Sequence, residues 1–453
     1  MTVRLGIIGC GNVSLYAFVP AAVELVGIEL VALADPTPER LKAAAEAGRV
    51  TSDVCHADWR DVVALSDVDA VVVATPQKVR PEIAIAAADA GKHVLAEKPL
   101  ALSPAEAWQM VETAKRNKIV LATVHNYTLV PVYETLKEIV TSGEIGDLET
   151  ATLNFLSVED RPGNAAYRPR WRHDVREAGG GVLMDMLHAV YLGWWFFDDR
   201  PTSVSAFVDR RLDADGDVED YALVRYTLPK GQVLVNMAWG KGPGGIELMG
   251  TEGRAIMTTR DHLTHPFVPP DTIHVYGTTG ERQIEPNHDW GPGHRQALAN
   301  FRDAVSDGVR PAASGEDGAY VLEAVVGADE SGARGREVAL PLSPDDPVYE
   351  FGAAGIAGLE QQARRIGAAG LVELELVPGA VVVEQGGLRC DDQPVRQVGR
   401  CVDPELGDGA AAIGDENRPG SGLPDDDLGA VLDIDQPAVL GHAEAPGAVE
   451  QRC

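Results

Sequence analysis

From Val3 to about Tyr127 the chain alternates short, continuously apolar runs with Ala-rich stretches of helical period. The runs are Val3–Ile8, Ile28–Ala34, Ala70–Ala74, His93–Ala96 and Ile119–Val124, and they are rich in Val, Ile and Leu. A strand apolar on both faces must be covered on both faces, and parallel strands need crossovers long enough to hold a helix. Residues 1–127 therefore read as an α/β domain with a doubly wound parallel sheet.

At 453 residues the chain is too long for one ordinary core. Past Tyr127 the pattern changes. A helix over Pro131–Ser142 precedes longer strands of alternating character at Leu148–Ser157, Val218–Thr227, Gln232–Trp239 and Gly253–Thr258. Pro229-Lys230-Gly231 and Gly250-Thr251-Glu252-Gly253 read as hairpin turns, hence antiparallel pairing. With further helices at Gly293–Ser306 and Glu316–Arg334 and a strand-like Glu337–Leu342, residues 128–342 read as an α+β domain with a large, mostly antiparallel sheet. Residues 343–453 are an atypical extension: lysine is absent, aromatic residues end at Phe351, and no periodicity is evident from Cys390 onward. Beyond a helix and strand readable between Gly355 and Val383, such a segment buries too little apolar surface to offset its ordering entropy, and it is expected to be largely disordered.

Gly9-Cys10-Gly11-Asn12-Val13-Ser14 follows the first apolar run and opens a helix. A GxG turn there lets backbone approach a pyrophosphate, while the helix N-terminus supplies N–H groups and positive potential. Taken alone it is equally a tight structural turn. Its third position is Ser14 rather than Gly, which is expected to loosen the helix–strand contact. Asp35 ends the second run, where a carboxylate accepts from an adenosine ribose diol; it also stands where it could cap the helix starting at Pro36-Thr37-Pro38. A carboxylate there repels a 2′-phosphate, so NAD is expected; Arg40, nearby in sequence, leaves NADP open.

The formal net charge of −30 opposes nucleic acid and anionic membrane surfaces as partners. Cys10, Cys55, Cys390, Cys401 and Cys453 show no paired or metal-ligand spacing, so no metal and a reducing compartment are expected. The N-terminus lacks a signal-peptide pattern, and the longest apolar stretches, such as Ala189–Phe197, fall short of the ~20 residues of a membrane helix. A cytoplasmic protein is the expectation.

Ala96-Glu97-Lys98-Pro99-Leu100, at the end of a strand and before a helix capped by Ser103, is more specific than the glycine turn. With Gly9/Gly11, Ala74-Thr75-Pro76, Gly143-Glu144-Ile145-Gly146, Gly179-Gly180-Gly181 to His188 and Gly250–Gly253, it resembles the glucose-fructose oxidoreductase / inositol dehydrogenase / rhizopine catabolism (Gfo/Idh/MocA) family over residues 1–342. The resemblance implies a Rossmann domain binding NAD or NADP through Gly9, Gly11, Asn12, Val13, Asp35, Arg40, Thr75, Pro76, Glu97 and Lys98. It further implies a homodimer or homotetramer joined through the open face of the second sheet, and a catalytic trio of Lys98, Asp185 and His188. The Asp-to-His spacing is one residue shorter than the family's, and Arg80 stands where the family often has a histidine. Positions i and i+3 still share a helix face, so the imidazole is expected to turn toward a different edge of the pocket.

Oxidising a secondary alcohol needs a base for the hydroxyl proton and a cation for the developing alkoxide. His188, with a reference pKa of ~6.5, suits the base; Lys98 suits the cation and a proton relay, and would take the base role itself if the imidazole turns away; Asp185 orients either. Singly, each has an ordinary explanation as a surface lysine, an ion-pair partner or a core histidine; together they define a site. The basic island Arg161–Arg176 contains Trp171-Arg172, an aromatic face and a guanidinium suited to a sugar or sugar acid, although pairing with acidic surface would also account for it. Asn126 and Tyr127 are further substrate contacts. The implied activity is hydride exchange between NAD(P) and an alcohol of a sugar, sugar acid or cyclitol. The competing readings are an NAD-dependent glycosidase using transient oxidation and a non-catalytic sugar sensor.

Overall fold

The computed structural model describes residues 2–156, 170–211, 217–239, 244–259, 270–287 and 292–356, all within one compact unit spanning residues 1–374. Much of the basic island and the extension from residue 357 therefore lie outside the described residues, as does nearly all of the helix and strand read between Gly355 and Val383.

Six strands form the first sheet: β1 (Val3–Ile8), β2 (Ile28–Ala34), β3 (Cys55–His56), β4 (Ala70–Val73), β5 (His93–Ala96) and β6 (Leu121–Thr123), in the order β3-β2-β1-β4-β5-β6. All pairs are parallel. Leu5, Ile7 and Val71–Val73 have no solvent exposure, as strands sandwiched between helices require. Each such side chain stabilises the fold by roughly 1.5–3 kcal/mol on burial. The strand order reverses between β1 and β4, which opens a crevice at their carboxyl ends where ligands of doubly wound sheets sit.

The second sheet contains β7 (Leu148–Leu156), β8 (Ser203–Asp209), β9 (Tyr221–Leu228), β10 (Gly231–Ala238), β11 (Gly245–Gly250), β12 (Gly253–Thr259), β13 (Pro270–Gly277), β14 (Gly280–Ile284) and β15 (Val338–Ala339). Its order is β14-β13-β12-β11-β7-β10-β9-β8-β15, antiparallel except where β10 runs parallel to β7. Both hairpins read from the sequence are present: Leu228 pairs with Gly231 and Gly250 with Gly253. Alternation gives the sheet one dry face, with Ala222, Val224, Tyr226, Val233, Val235 and Met237 buried on it.

Two buried helices cover that face. His188–Trp195 packs on β7 and β10, so close that a Cβ on Gly193 would lie 2.4 Å from a Val233 methyl. Gly315–Arg334, started by a Ser314/Asp317 capping box, packs on β8 and on the helix Pro104–Asn117 of the first layer. The helix Pro292–Asp307 returns to the first sheet and adds Ala297, Leu298 and Phe301 to its core.

Candidate active site

The glycine turn sits at the carboxyl end of β1. Gly9 has φ +93°, and a Cβ there would lie 2.6 Å from the carbonyl oxygen of Ala74, so the turn passes against the end of β4 and requires glycine. Gly11 differs: a Cβ would meet nothing within 4 Å among the described residues. The backbone at Gly11 thus leaves room for close approach by a dinucleotide, as the cradle of a doubly wound sheet requires. Asn12 and Val13 open the helix, which winds as a π-helix over Ser14–Phe18 before continuing as Val19–Glu24. Ser14 does not loosen the contact as expected. It is fully buried, and its hydroxyl donates to the carbonyl oxygen of Gly9 (2.5 Å), fastening the turn to the helix.

Asp35, buried at the end of β2, accepts from Cys10 N–H and Thr37 N–H, both at 2.8 Å. It braces the glycine turn rather than capping the next helix, whose N-cap is Thr37. The exposed Arg40 lies on that helix, near enough to Cys10 to act on its thiol electrostatically. Beside β4, Arg80 is buried and donates to the carbonyl oxygens of Thr75 and Pro99. This histidine replacement is therefore a strut between the Thr75-Pro76 turn and the segment bearing Lys98.

Lys98 follows β5, and its Nζ donates to the backbone carbonyl oxygen of Asp185 (2.7 Å). Burial lowers the ammonium's pKa, partly offset by the Asp185 and Glu97 carboxylates. The Asp185 carboxylate accepts from the indole N–H of Trp239 (3.3 Å) and faces Arg172 (3.8 Å). Burial opposes its ionisation, but Arg172, Lys98 and Trp239 outweigh that and hold it below the usual carboxylate range. Trp171 is exposed, with the Arg172 guanidinium 5.9 Å from its ring centroid.

Asp185 and His188 do not share one helix. Val182–Asp185 ends, Met186 and Leu187 form a break, and His188 begins the next helix. The shortened spacing is thus absorbed by the chain rather than by rotation along a continuous helix. His188 is buried, stacked on Tyr127 (centroids 4.0 Å apart, 11° between planes), with Nδ1 2.7 Å from the Tyr191 hydroxyl. Burial, then Lys98, His294 and His125, push its pKa well below the ordinary value, so the imidazole is neutral.

Several contributors were not foreseen. His294, from the helix that returns to the first sheet, lies 3.7 Å from the Glu97 carboxylate and 3.4 Å from the Asn126 amide. Glu219, just ahead of β9, accepts from Gly181 N–H and Leu183 N–H with its side chain and from Val182 N–H with its carbonyl, so one residue satisfies three consecutive donors at the start of Val182–Asp185. Gln77 donates to the carbonyl oxygen of Ala178 (2.9 Å). These contacts span long separations and leave no local signal; only Tyr191, one helical turn past His188, had a readable spacing.

Three buried side-chain oxygens around this crevice, on Thr75, Glu97 (Oε1) and Asn126 (Oδ1), have no hydrogen-bond partner among the described residues. Orphaned acceptors beside a cradle left open at Gly11 fit a polar cofactor that completes them. Fold and site together define a nicotinamide-dependent oxidoreductase with a Rossmann domain and a second domain built on a large open sheet.

Comparisons with known proteins agree. Residues 3–125 match the oxidoreductase family with an NAD-binding Rossmann fold, and residues 133–256 match the GFO/IDH/MocA C-terminal domain. The chain is 30% identical over 328 residues to 1,5-anhydro-D-fructose reductase of Ensifer adhaerens, covering 70% of this chain and 93% of that one. It is 28% identical over 335 residues to myo-inositol 2-dehydrogenase of Thermotoga maritima, again covering 70% and 93%. A levoglucosan dehydrogenase solved with NADH and levoglucosan shares the fold at TM-score 0.67 and 22% identity, over 75% of this chain and all of that one. The chain belongs to the Gfo/Idh/MocA oxidoreductase family, and it is an NAD(P)-dependent dehydrogenase acting on CH–OH groups.

Proposed function

We propose that this enzyme exchanges hydride between NAD and a secondary alcohol of a sugar, sugar acid or cyclitol, with Lys98, Asp185 and His188 around the reacting carbon. The carrying observation is that Lys98, from the first layer, reaches the Asp185 carbonyl in the second, bringing a desolvated amine within electrostatic reach of the neutral His188 imidazole. Bound NAD supplies the hydride acceptor. Gly9, Gly11, Asn12, Val13, Thr75 and Pro76 would hold its phosphates and Asp35 its adenosine ribose, with Arg40 nearby; Glu97, Asn126 and Tyr127 line the approach to Lys98. Arg172, beside Asp185 and half-exposed, is suited to hydroxyl or carboxylate groups, and Trp171 to a ring face. Named relatives that act on 1,5-anhydro-D-fructose and inositol support the substrate class.

Residues 1–127 carry the cofactor and 128–342 the substrate, the helix Pro292–Asp307 rejoining the first core. The test is a panel of sugars, sugar acids and cyclitols with NAD and NADP, following the reduced nicotinamide. One member should give sustained NAD reduction. Cleavage of a glycoside without accumulation of NADH would identify the glycosidase class instead, and binding without turnover the sensor.

A further inference from the structure

The surroundings of His188 assign the proton on its imidazole. Tyr191 lies one turn further along the same helix and is almost fully buried. Its hydroxyl oxygen accepts from the backbone N–H of Tyr127 (3.2 Å) and lies 2.7 Å from His188 Nδ1. A phenol carries one proton, and leaving it undonated in a buried site is costly. Among the described residues His188 Nδ1 is the one acceptor this hydroxyl reaches. The bond is held from both sides, since Tyr127 stacks on His188 and His125 stacks on Tyr191 (centroids 4.1 Å apart, 11° between planes).

Ionisation does not disturb this arrangement. Burial keeps the Tyr191 phenol protonated, and burial, then Lys98, His294 and His125, disfavour a second proton on His188. A neutral imidazole whose Nδ1 accepts carries its proton on Nε2. His188 makes no other hydrogen bond among the described residues, so Nε2–H is the group left for a ligand.

We propose that Tyr191 is a positioning residue that holds His188 as the Nε2–H tautomer, making His188 a hydrogen-bond donor to the substrate oxygen and leaving Lys98 as the proton acceptor. The inference rests on the dehydrogenase reading above and decides the base role, which the sequence leaves between His188 and Lys98, in favour of Lys98. In the oxidation the hydroxyl O–H bond breaks and its proton joins the lone pair of uncharged Lys98 Nζ. The C–H bond breaks with both electrons leaving as hydride for the nicotinamide, and the C=O bond forms while His188 Nε2–H donates to its oxygen.

The test reads the tautomer directly, on the full chain with ¹⁵N-labelled histidine, assigning His188 by the resonances lost in His188→Gln. Wild type at neutral pH should show a protonated Nε2 and an unprotonated Nδ1 with NAD absent or present. Tyr191→Phe should shift the pair toward a tautomer mixture and lower kcat roughly tenfold or more with unchanged NAD affinity. With the true substrate, kcat/KM should rise with pH along a limb that persists in His188→Ala. A protonated Nδ1 in wild type, or a limb that vanishes in His188→Ala, would overturn the proposal. Should Tyr191→Phe not fold, the wild-type spectrum still decides; should no alcohol be oxidised, the functional reading fails while the tautomer result stands.

Discussion

Gly9 and Gly11 are separated by one residue in the same turn, yet alanine at the two positions should have opposite consequences. At Gly9 the φ of +93° costs an L-residue about 1–2 kcal/mol, and a Cβ 2.6 Å from the Ala74 carbonyl oxygen adds overpacking of about 1–3 kcal/mol. Backbone rather than a flexible side-chain tip is the obstacle, so little relief is available. The sum, roughly 2–5 kcal/mol, should lower Tm by about 4–20 °C. At Gly11 φ is outside the left-handed region and the new methyl meets nothing among the described residues. Gly11→Ala should therefore leave the free protein unchanged or raise its stability by about 0.4–1 kcal/mol through the unfolded state. Its cost should fall on the complex: a methyl in the pyrophosphate's path is worth about 1–3 kcal/mol, or roughly 5- to 150-fold in Kd for NAD. Thermal unfolding without ligand and calorimetric titration with NAD separate the two variants. Gly11→Ala that binds NAD as wild type does, or Gly9→Ala that melts with wild type, would refute the reasoning.

Three further outcomes follow from the same structure. Asp35→Ala should narrow or reverse a preference for NAD over NADP measured by titration of both; because Asp35 also braces Cys10 and Thr37, a lower Tm should accompany the change. Burial raises the Glu219 pKa to about 7, so between about pH 4.5 and 7 the folded state holds a proton that the unfolded state has lost, and this contribution to stability disappears as pH rises through 7. Glu219→Gln keeps an acceptor for Gly181 and Leu183, so its Tm relative to wild type should climb from pH 5 to 7.5 and then level; a difference constant with pH would contradict this. We also propose that the exposed pair Phe207 and Leu223, register partners on the open face of the second sheet, is covered by a second copy of the chain. Light scattering should give a dimer or tetramer that Leu223→Asp weakens, and a monomeric wild type would end that proposal.

The central strands of the first sheet were legible because burial on both faces leaves an unbroken apolar run; β1, β2 and β5 fall where the runs do. Strand β3 was not, since Cys55–His56 is two residues held by neighbours rather than by its own pattern. In the second sheet β9 and β10 declared themselves by alternation and a tight turn. β14, nearly all exposed, has no apolar face to read. At the site, residues carried by motifs, Lys98 and Asp185, do meet, but through a backbone carbonyl that no side-chain pattern encodes. The break at Met186–Leu187, the Glu219 brace and the approach of His294 arise from packing between elements far apart in sequence. Such contacts become visible only when the layers are assembled.

The most direct test of the account is Lys98→Ala on the substrate found by the alcohol panel, with NAD affinity measured in parallel. On the proposed mechanism Lys98 acts on the reacting oxygen and the phosphates are held elsewhere, so kcat should fall ~10²- to 10⁴-fold with NAD Kd nearly unchanged. Near-normal turnover by Lys98→Ala would contradict the proposed chemistry whatever the fold.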